Sequence, residues 1–271
     1  VYPYSDVELA VFQGDYYLNA MSGLDTASAL FRFDGTKWDT ISPPGLAKWA
    51  ITSLKVIGAK LYVGGYFEAS GGIKSIMSFD GTSFSALPPI PAVLGITDIA
   101  EANGNLYILG TNYYSATIPF DSCFFVLDTI TNSWQSATNN FPQVFFAPTK
   151  LLSHSGKIYM YSPFGGNSPF VFNNNAISEI PSMKMTAQDA CIYNGQFTML
   201  GTDTLNPIKI LKIYNGSTST TFHQVPLWMN EIQTFNTSLF GFTQANFPYN
   251  GMNYNNAMQL DSLSIINGVV Y

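Results

Sequence analysis

The sequence predicts an all-β fold, a six-bladed β-propeller with four antiparallel strands per blade, on three observations. First, an aromatic-centred strand follows a small turn six times: Gly14-Asp-Tyr-Tyr17, Lys60-Leu-Tyr62, Gly104-Asn-Leu-Tyr107, Gly156-Lys-Ile-Tyr159, Gly195-Gln-Phe-Thr198 and Thr237-Ser-Leu-Phe240. Successive positions of the Tyr17 type are 45, 45, 52, 39 and 42 residues apart. Second, each is followed by a strand ending in Asp or Asn, at Asp34, Asp80, Asp128, Asn173, Asn215 and Asp261. Third, prolines at Pro43-Pro44, Pro88-Pro89, Pro142, Pro181 and Pro226 mark the junctions, where a missing N–H removes no ladder bond.

These signals place the blades at about 5–45, 46–91, 92–142, 143–183, 184–226 and 227–271, a single domain over residues 1–271. Repeat two is the most regular. Ser53–Ile57 reads as a first strand, Gly58–Lys60 as a turn and Leu61–Phe67 as a second strand. Ser75–Phe79 then forms a third strand, and the tight turn Asp80-Gly81-Thr82 leads to a fourth over 83–87. A lone sheet of this size leaves both faces wet, so neighbouring sheets must stack on one another. Val1–Tyr4 beside Ser262–Tyr271 would form a small clasp at the ring closure.

Composition narrows the function. Apolar residues make up 46% and charged residues 10% of the 271, which supports a core and excludes a disordered chain. The formal charge is −6 and Arg32 is the only arginine, so the basic patch that nucleic-acid binding requires is missing. No run of 18 apolar residues spans a bilayer. The start at Val1, without Met or a signal-peptide pattern, fits a processed protein or a domain cut from a longer one. Cys123 and Cys191 fall two blades apart, too far for a disulfide, and read as buried free thiols.

Aligning the residue nine before each Tyr17-type position gives a polar column: Glu8, Ser53, Asp98, Lys150, Asp189 and Glu231. On innermost strands this column would ring one channel mouth, where the four acids could bind a polar ligand or, as oxygen donors, Ca²⁺. The second-to-third strand loops share that face. They bring Phe67, Tyr113, Tyr114, Phe164 and the segment 246–254, with Phe247, Tyr249 and Tyr254, as rings suited to sugar or peptide contact. The sequons at Asn215 and Asn236 fall on the opposite face, so glycans there would leave the aromatic face free.

Catalytic patterns are scarce. His154 and His223 are the only histidines and sit in different repeats, and no phosphate loop, Cys/His cluster or serine elbow occurs. One arginine is too few to grip a sialic-acid carboxylate. Asp98 and Glu101, three apart on a strand, point to opposite faces.

Leu61-Tyr-Val-Gly-Gly65 with Phe79-Asp-Gly-Thr82 resembles the repeats of kelch and galactose-oxidase-type propellers. The spacing Asp34-Gly-Thr-Lys-Trp38 looks most like the cell-surface repeats of the fungal cortical-polarity-marker type and of bacterial secreted propellers. The resemblance implies a noncatalytic extracellular or cell-surface module without a cofactor, structural or adhesive, contacting protein or glycan or assembling with itself. Two other classes stay open at this point: a secreted hydrolase using the mouth carboxylates, and an intracellular kelch-type adaptor.

Overall fold

The computed structural model of the chain describes residues 8–21, 28–41, 51–69, 73–90, 95–111, 124–137, 148–163, 168–204, 208–225, 231–235, 238–242, 257–259, 265–266 and 269–270. Among the described residues it is all-β apart from one 3₁₀ turn, Pro181–Met183. Among the described residues no helix is long and apolar enough to cross a membrane.

Five four-stranded antiparallel sheets follow one another, each in simple up-and-down order. Sheet 1 holds β1 (Leu9–Phe12), β2 (Asp15–Met21), β3 (Ser28–Phe33) and β4 (Trp38–Thr40). Sheet 2 holds β5 (Ile51–Ile57), β6 (Lys60–Ala69), β7 (Ile73–Phe79) and β8 (Phe84–Ala86). Sheet 3 holds β9 (Gly95–Ala102), β10 (Asn105–Thr111), β11 (Phe124–Asp128) and β12 (Ser133–Ser136). Sheet 4 is β13 (Lys150–His154), β14 (Lys157–Tyr161), β15 (Phe170–Asn173) and β16 (Ala176–Glu179). Sheet 5 is β17 (Thr186–Tyr193), β18 (Gln196–Thr202), β19 (Lys209–Tyr214) and β20 (Ser219–Gln224).

The sixth repeat is described in part. Its described residues form a three-stranded sheet of β21 (Glu231–Phe235), β22 (Ser238–Phe242) and β23 (Ala257–Gln259). A separate hairpin pairs β24 (Ile265–Ile266) with β25 (Val269–Val270). The clasp residues Val1–Tyr4 lie outside the described residues.

The chain packs as two compact units, Val1–Gln143 and Val144–Tyr271. In both, first and second strands are joined by tight turns whose two central residues carry positive φ: Gln13-Gly14, Asn103-Gly104, Ser155-Gly156 and Asn194-Gly195. Such mirror-image turns match the right-handed twist of the strands they connect. The second strands of sheets 3 and 5 read as near-continuous runs, Leu106-Tyr-Ile-Leu109 and Phe197-Thr-Met-Leu200, because both of their faces are buried.

The apolar clusters accordingly lie between sheets. In the first unit Phe12, Tyr17 and Leu30 of sheet 1 meet Ile51, Leu61, Val63 and Phe79 of sheet 2. Ile76 of sheet 2 packs with Ile96, Ile99, Ile108, Phe125 and Trp134 of sheet 3. At this junction a β-carbon on Gly64 would stand 2.9 Å from Ile99 Cδ1, so the glycine doublet of repeat two admits the neighbouring sheet. In the second unit Tyr159 of sheet 4 stacks flat on Phe197 of sheet 5, centroids 4.6 Å apart. Cys191, Leu200 and Leu211 of sheet 5 pack on Ile232 and Leu239 of β21 and β22. Cys191 is a buried free thiol, as the sequence suggests, and burial with the nearby Asp189 charge pushes it up to about 12. Cys123 is outside the described residues.

Candidate functional site

The polar column falls toward the starts of the first strands, and Ser53, Asp98 and Asp189 tie one sheet to the next. Ser53 Oγ donates to Asp98 Oδ1 at 2.8 Å, joining sheet 2 to sheet 3. The same Asp98 oxygen accepts the Ile99 N–H at 2.7 Å. Asp189 holds a wider junction. Its Oδ1 accepts the Ala190 N–H at 2.8 Å and the Tyr161 hydroxyl of sheet 4 at 3.3 Å. Its Oδ2 accepts the Ile232 N–H of β21 at 2.8 Å, so one carboxylate touches three successive sheets. Carboxylates held by backbone N–H groups fix strand spacing, and each such bond to a charged group contributes roughly 1.5–3 kcal/mol.

Two further side chains complete this line. Buried Asn19 donates from Nδ2 to the Ile51 carbonyl of sheet 2 at 2.7 Å, and its Oδ1 accepts the Glu8 N–H. Thr52 Oγ1 donates to the Ile96 carbonyl of sheet 3. Glu8 stands just before β1, Lys150 opens β13 and Glu231 opens β21. Among the described residues no group of three His, Cys, Asp or Glu side chains forms a metal site.

The sequence reading missed why the column lines up. In sheets 2, 3 and 5 the first strand carries a β-bulge immediately before the column residue, at Thr52, Thr97 and Gln188. A bulge bends the strand and re-aims the next side chain, here toward the adjacent sheet. Thr97 Oγ1 returns to the Leu109 carbonyl at 3.0 Å, while the Thr52 hydroxyl, donated to Ile96, keeps its oxygen 3.4 Å from the matching Gly64 carbonyl. Two polar residues in a row inside an apolar strand, as in Ile51-Thr-Ser-Leu54, Ile96-Thr-Asp-Ile99 and Ala187-Gln-Asp-Ala190, are the signal that breaks the period of two.

The recurring Asp or Asn at the end of the third strand has an equally plain role. Asp34 Oδ1 accepts the N–H groups of Thr36 and Lys37 at 2.9 and 3.0 Å and the Thr36 hydroxyl at 2.6 Å. Asp80 and Asp128 close their turns on Thr82, Ser83, Ile130 and Thr131 in the same way. These bonds favour the ionised form, holding Asp34 at about 2 and Asp80 and Asp128 below the ordinary range. Asn215 builds the same turn with a neutral amide: Oδ1 accepts Ser217 and Thr218 N–H at 3.0 and 2.9 Å, and Nδ2 donates to Thr218 Oγ1 at 3.2 Å.

Arg32, the lone arginine, lies between Asp15 at 3.5 Å and Asp39 at 3.9 Å. Glu101 accepts the Gly104 N–H of its own hairpin at 2.7 Å. Asn215 is exposed in the β19–β20 turn, while Asn236, Tyr113, Tyr114, Phe164, Phe247, Tyr249 and Tyr254 lie outside the described residues.

No protein-family model matches the chain, and no curated protein sequence does either. Solved structures do. YCF48 bound to D1 peptide is similar over 84% of this chain and 72% of that one, with 14% identity and a TM-score of 0.55. YCF48 from Cyanidioschyzon merolae matches over 87% and 78%, with 10% identity and a TM-score of 0.54. The acylaminoacyl peptidase of Pyrococcus horikoshii is similar over 92% of this chain and 43% of its own, at 13% identity and a TM-score of 0.53. The likeness is one of fold. The chain is built on the β-propeller plan, with five complete four-stranded sheets and a partial sixth.

Proposed function

We propose that the chain is a noncatalytic propeller module of the cell surface or extracellular space that binds a protein or glycan partner. The observation that carries this reading is the commitment of Asp98 and Asp189 to hydrogen bonds that join sheets. A hydrolase working through these carboxylates would need one as proton donor and one facing substrate. Carboxylates fixed on backbone N–H groups serve the fold instead. Arg32 is likewise engaged by two aspartates rather than open to an anionic substrate. YCF48, similar in fold, was solved with a peptide bound, which supports a binding role for this plan of sheets. The kelch-like repeat Leu61–Gly65 supports the same class.

The test is a paired assay of the wild-type chain and the Asp98→Asn and Asp189→Asn variants on a panel of aryl glycosides and on peptide and glycan arrays. We expect no turnover by any of the three proteins, array binding by the wild type, and lowered thermal stability in both variants. Turnover by the wild type that either variant abolishes would overturn the reading.

A further inference from the structure

Within the second unit, on the side of the hairpin turns, sheets 4 and 5 leave a cavity of about 220 Å³. His154, Ser155 and Lys157 line it from the β13–β14 turn, Gly195 from the β17–β18 turn, and Tyr214, Asn215 and Gly216 from the β19–β20 turn. Tyr159 closes the floor, fixed by its flat stack on Phe197.

The junction between sheets 1 and 2 explains why a space exists here. Its first-to-second strand turn is Gln13-Gly14, with φ of 54° and 88°, and the turn of sheet 4 is Ser155-Gly156, with φ of 49° and 75°. Gln13 Nε2 reaches the Asp80 carbonyl at 3.0 Å, and its Oε1 lies so near Gly81 that a β-carbon there would approach to 2.3 Å. Asp80-Gly81 of sheet 2 corresponds to Asn215-Gly216 of sheet 5. At the second junction Ser155 is too short to span the gap, and its hydroxyl turns instead to His154 Nε2 at 3.0 Å. Thus the same turn is plugged in one junction and open in the other.

The chemistry of the open one is one-sided. None of its eight lining residues is acidic, in a chain with a formal charge of −6. It offers the Lys157 ammonium, the Tyr159 phenol and the second amide proton of Asn215, while Ser155 and His154 are paired with each other and the first Asn215 amide proton goes to Thr218. Among the described residues Lys157 makes no ion pair. A cation without a carboxylate partner, set beside neutral donors, selects an anion through charge-assisted hydrogen bonds. The Tyr214 hydroxyl is held on the Gly216 carbonyl at 2.8 Å, so its ring is a fixed wall. Fixed aromatic rings give contact area to a sugar at little entropic cost. The volume lies below the roughly 300 Å³ at which drug-sized sites begin, which suits a single ring.

We propose that this cavity binds one carboxylate-bearing monosaccharide, a uronate, either free or as the end unit of an acidic glycan. The proposal rests on the reading of the chain as a noncatalytic binding module and supplies one ligand class for it.

The test uses the full chain made without N-glycans, because Asn215 stands on the rim. Glucuronate, a short oligouronate ending in the same unit, glucose and inorganic phosphate are titrated by calorimetry and by amide chemical shifts. We expect millimolar binding of glucuronate, shifts at Lys157, Gly195 and Tyr214, and at least tenfold weaker binding of glucose and phosphate. Equal affinity for free glucuronate and oligouronate assigns a free-sugar site; tighter oligouronate binding assigns a glycan end. Ser155→Gln should abolish binding without loss of thermal stability, since Gln13 shows that glutamine fits this turn. Lys157→Met should weaken binding at least tenfold while keeping the fold. No binding of either uronate, equal affinity for glucose or for phosphate, or full binding by folded Ser155→Gln or Lys157→Met would each remove the proposal. Failure here leaves the binding-module reading standing; hydrolysis of the oligouronate would remove that reading as well.

Discussion

Among the described residues sheet 5 is covered on both faces and sheet 1 on one. Phe197 and Met199 of sheet 5 face the sheet 4 cluster, and Leu200, Leu211 and Cys191 face β21 and β22. Sheet 1 buries Phe12, Tyr17 and Leu30 against sheet 2. Its other face runs through the register Val11–Tyr16–Phe33–Trp38, with the rings of Tyr16 and Phe33 6.5 Å apart and those of Phe33 and Trp38 5.1 Å apart. There Leu9 is 58% exposed, Val11 56%, Tyr16 46% and Trp38 52%. Strand composition therefore reports that a face is built for contact without reporting whether the contact is made. A contiguous apolar face of this kind marks a place where covering would stabilise the molecule.

The largest effect should come from the doubly covered sheet. Phe197→Ala removes a fully buried ring and its stack with Tyr159, a loss of about 3–5 kcal/mol, read as a lowered urea midpoint at unchanged slope. A loss below about 1 kcal/mol would show that sheets 4 and 5 repack freely, and the contrast with sheet 1 would go with it. Asp189→Ala ranks next. It leaves the Ile232 N–H without its carboxylate acceptor, for a loss of roughly 1–3 kcal/mol. Hydrogen exchange should quicken at Ile232 and at Ala190 and stay slow at Ile76 in the first unit; uniform quickening would show that Asp189 acts on more than its junctions.

Acid sharpens the comparison in sheets 1 and 2, whose turns depend on aspartate, against sheet 5, whose turn is built by Asn215. Asp34, at about 2 in the folded chain, lies below the roughly 3.9 of an unfolded aspartate. Its stabilising contribution is thus complete above about pH 4 and lost as the pH falls toward 2. Because Asp34 and Asp80 are solvent-exposed, the effect is a modest downward slope of the urea midpoint between pH 5 and 2. Asp34→Asn should flatten that slope slightly, and Asn215→Asp should steepen it. Slopes identical to wild type in both variants would show that these turns bind protons equally in the folded and unfolded chain.

Much of this fold is legible in the residues. The Tyr17-type positions, the Asp-Gly turns and the strands of repeat two lie where spacing and turn chemistry put them, because each is a local consequence of period, positive φ or a side-chain cap. The polar column is legible only as a column. Which neighbour Asp98 or Asp189 meets depends on bulges at Thr97 and Gln188, and a bulge inserts one residue that strict alternation does not reveal. The cavity at Ser155 is less visible still. A serine in a turn reads as ordinary until the glutamine at the matching turn of sheet 1 is seen lying across its junction. In the sixth repeat, the two-residue strands at Ile265 and Val269 hold too little apolar period to set a partner.

The smallest expected effect is the sharpest probe of the opening contrast. Trp38 lies on β4, the outer edge strand of sheet 1, with half of its surface open and one described ring neighbour, Phe33. Trp38→Ala therefore removes little buried area, and surface changes of this kind fall within about ±0.5 kcal/mol. Trp38 fluorescence should be accessible to iodide quenching, while Trp134, 6% exposed and bonded through Nε1 to the Pro88 carbonyl, should be protected. If Trp38→Ala instead costs as much as Phe197→Ala, and iodide reaches neither ring, the outer face of sheet 1 is covered in solution. Its apolar register would then be a second core of the same kind as that around Phe197.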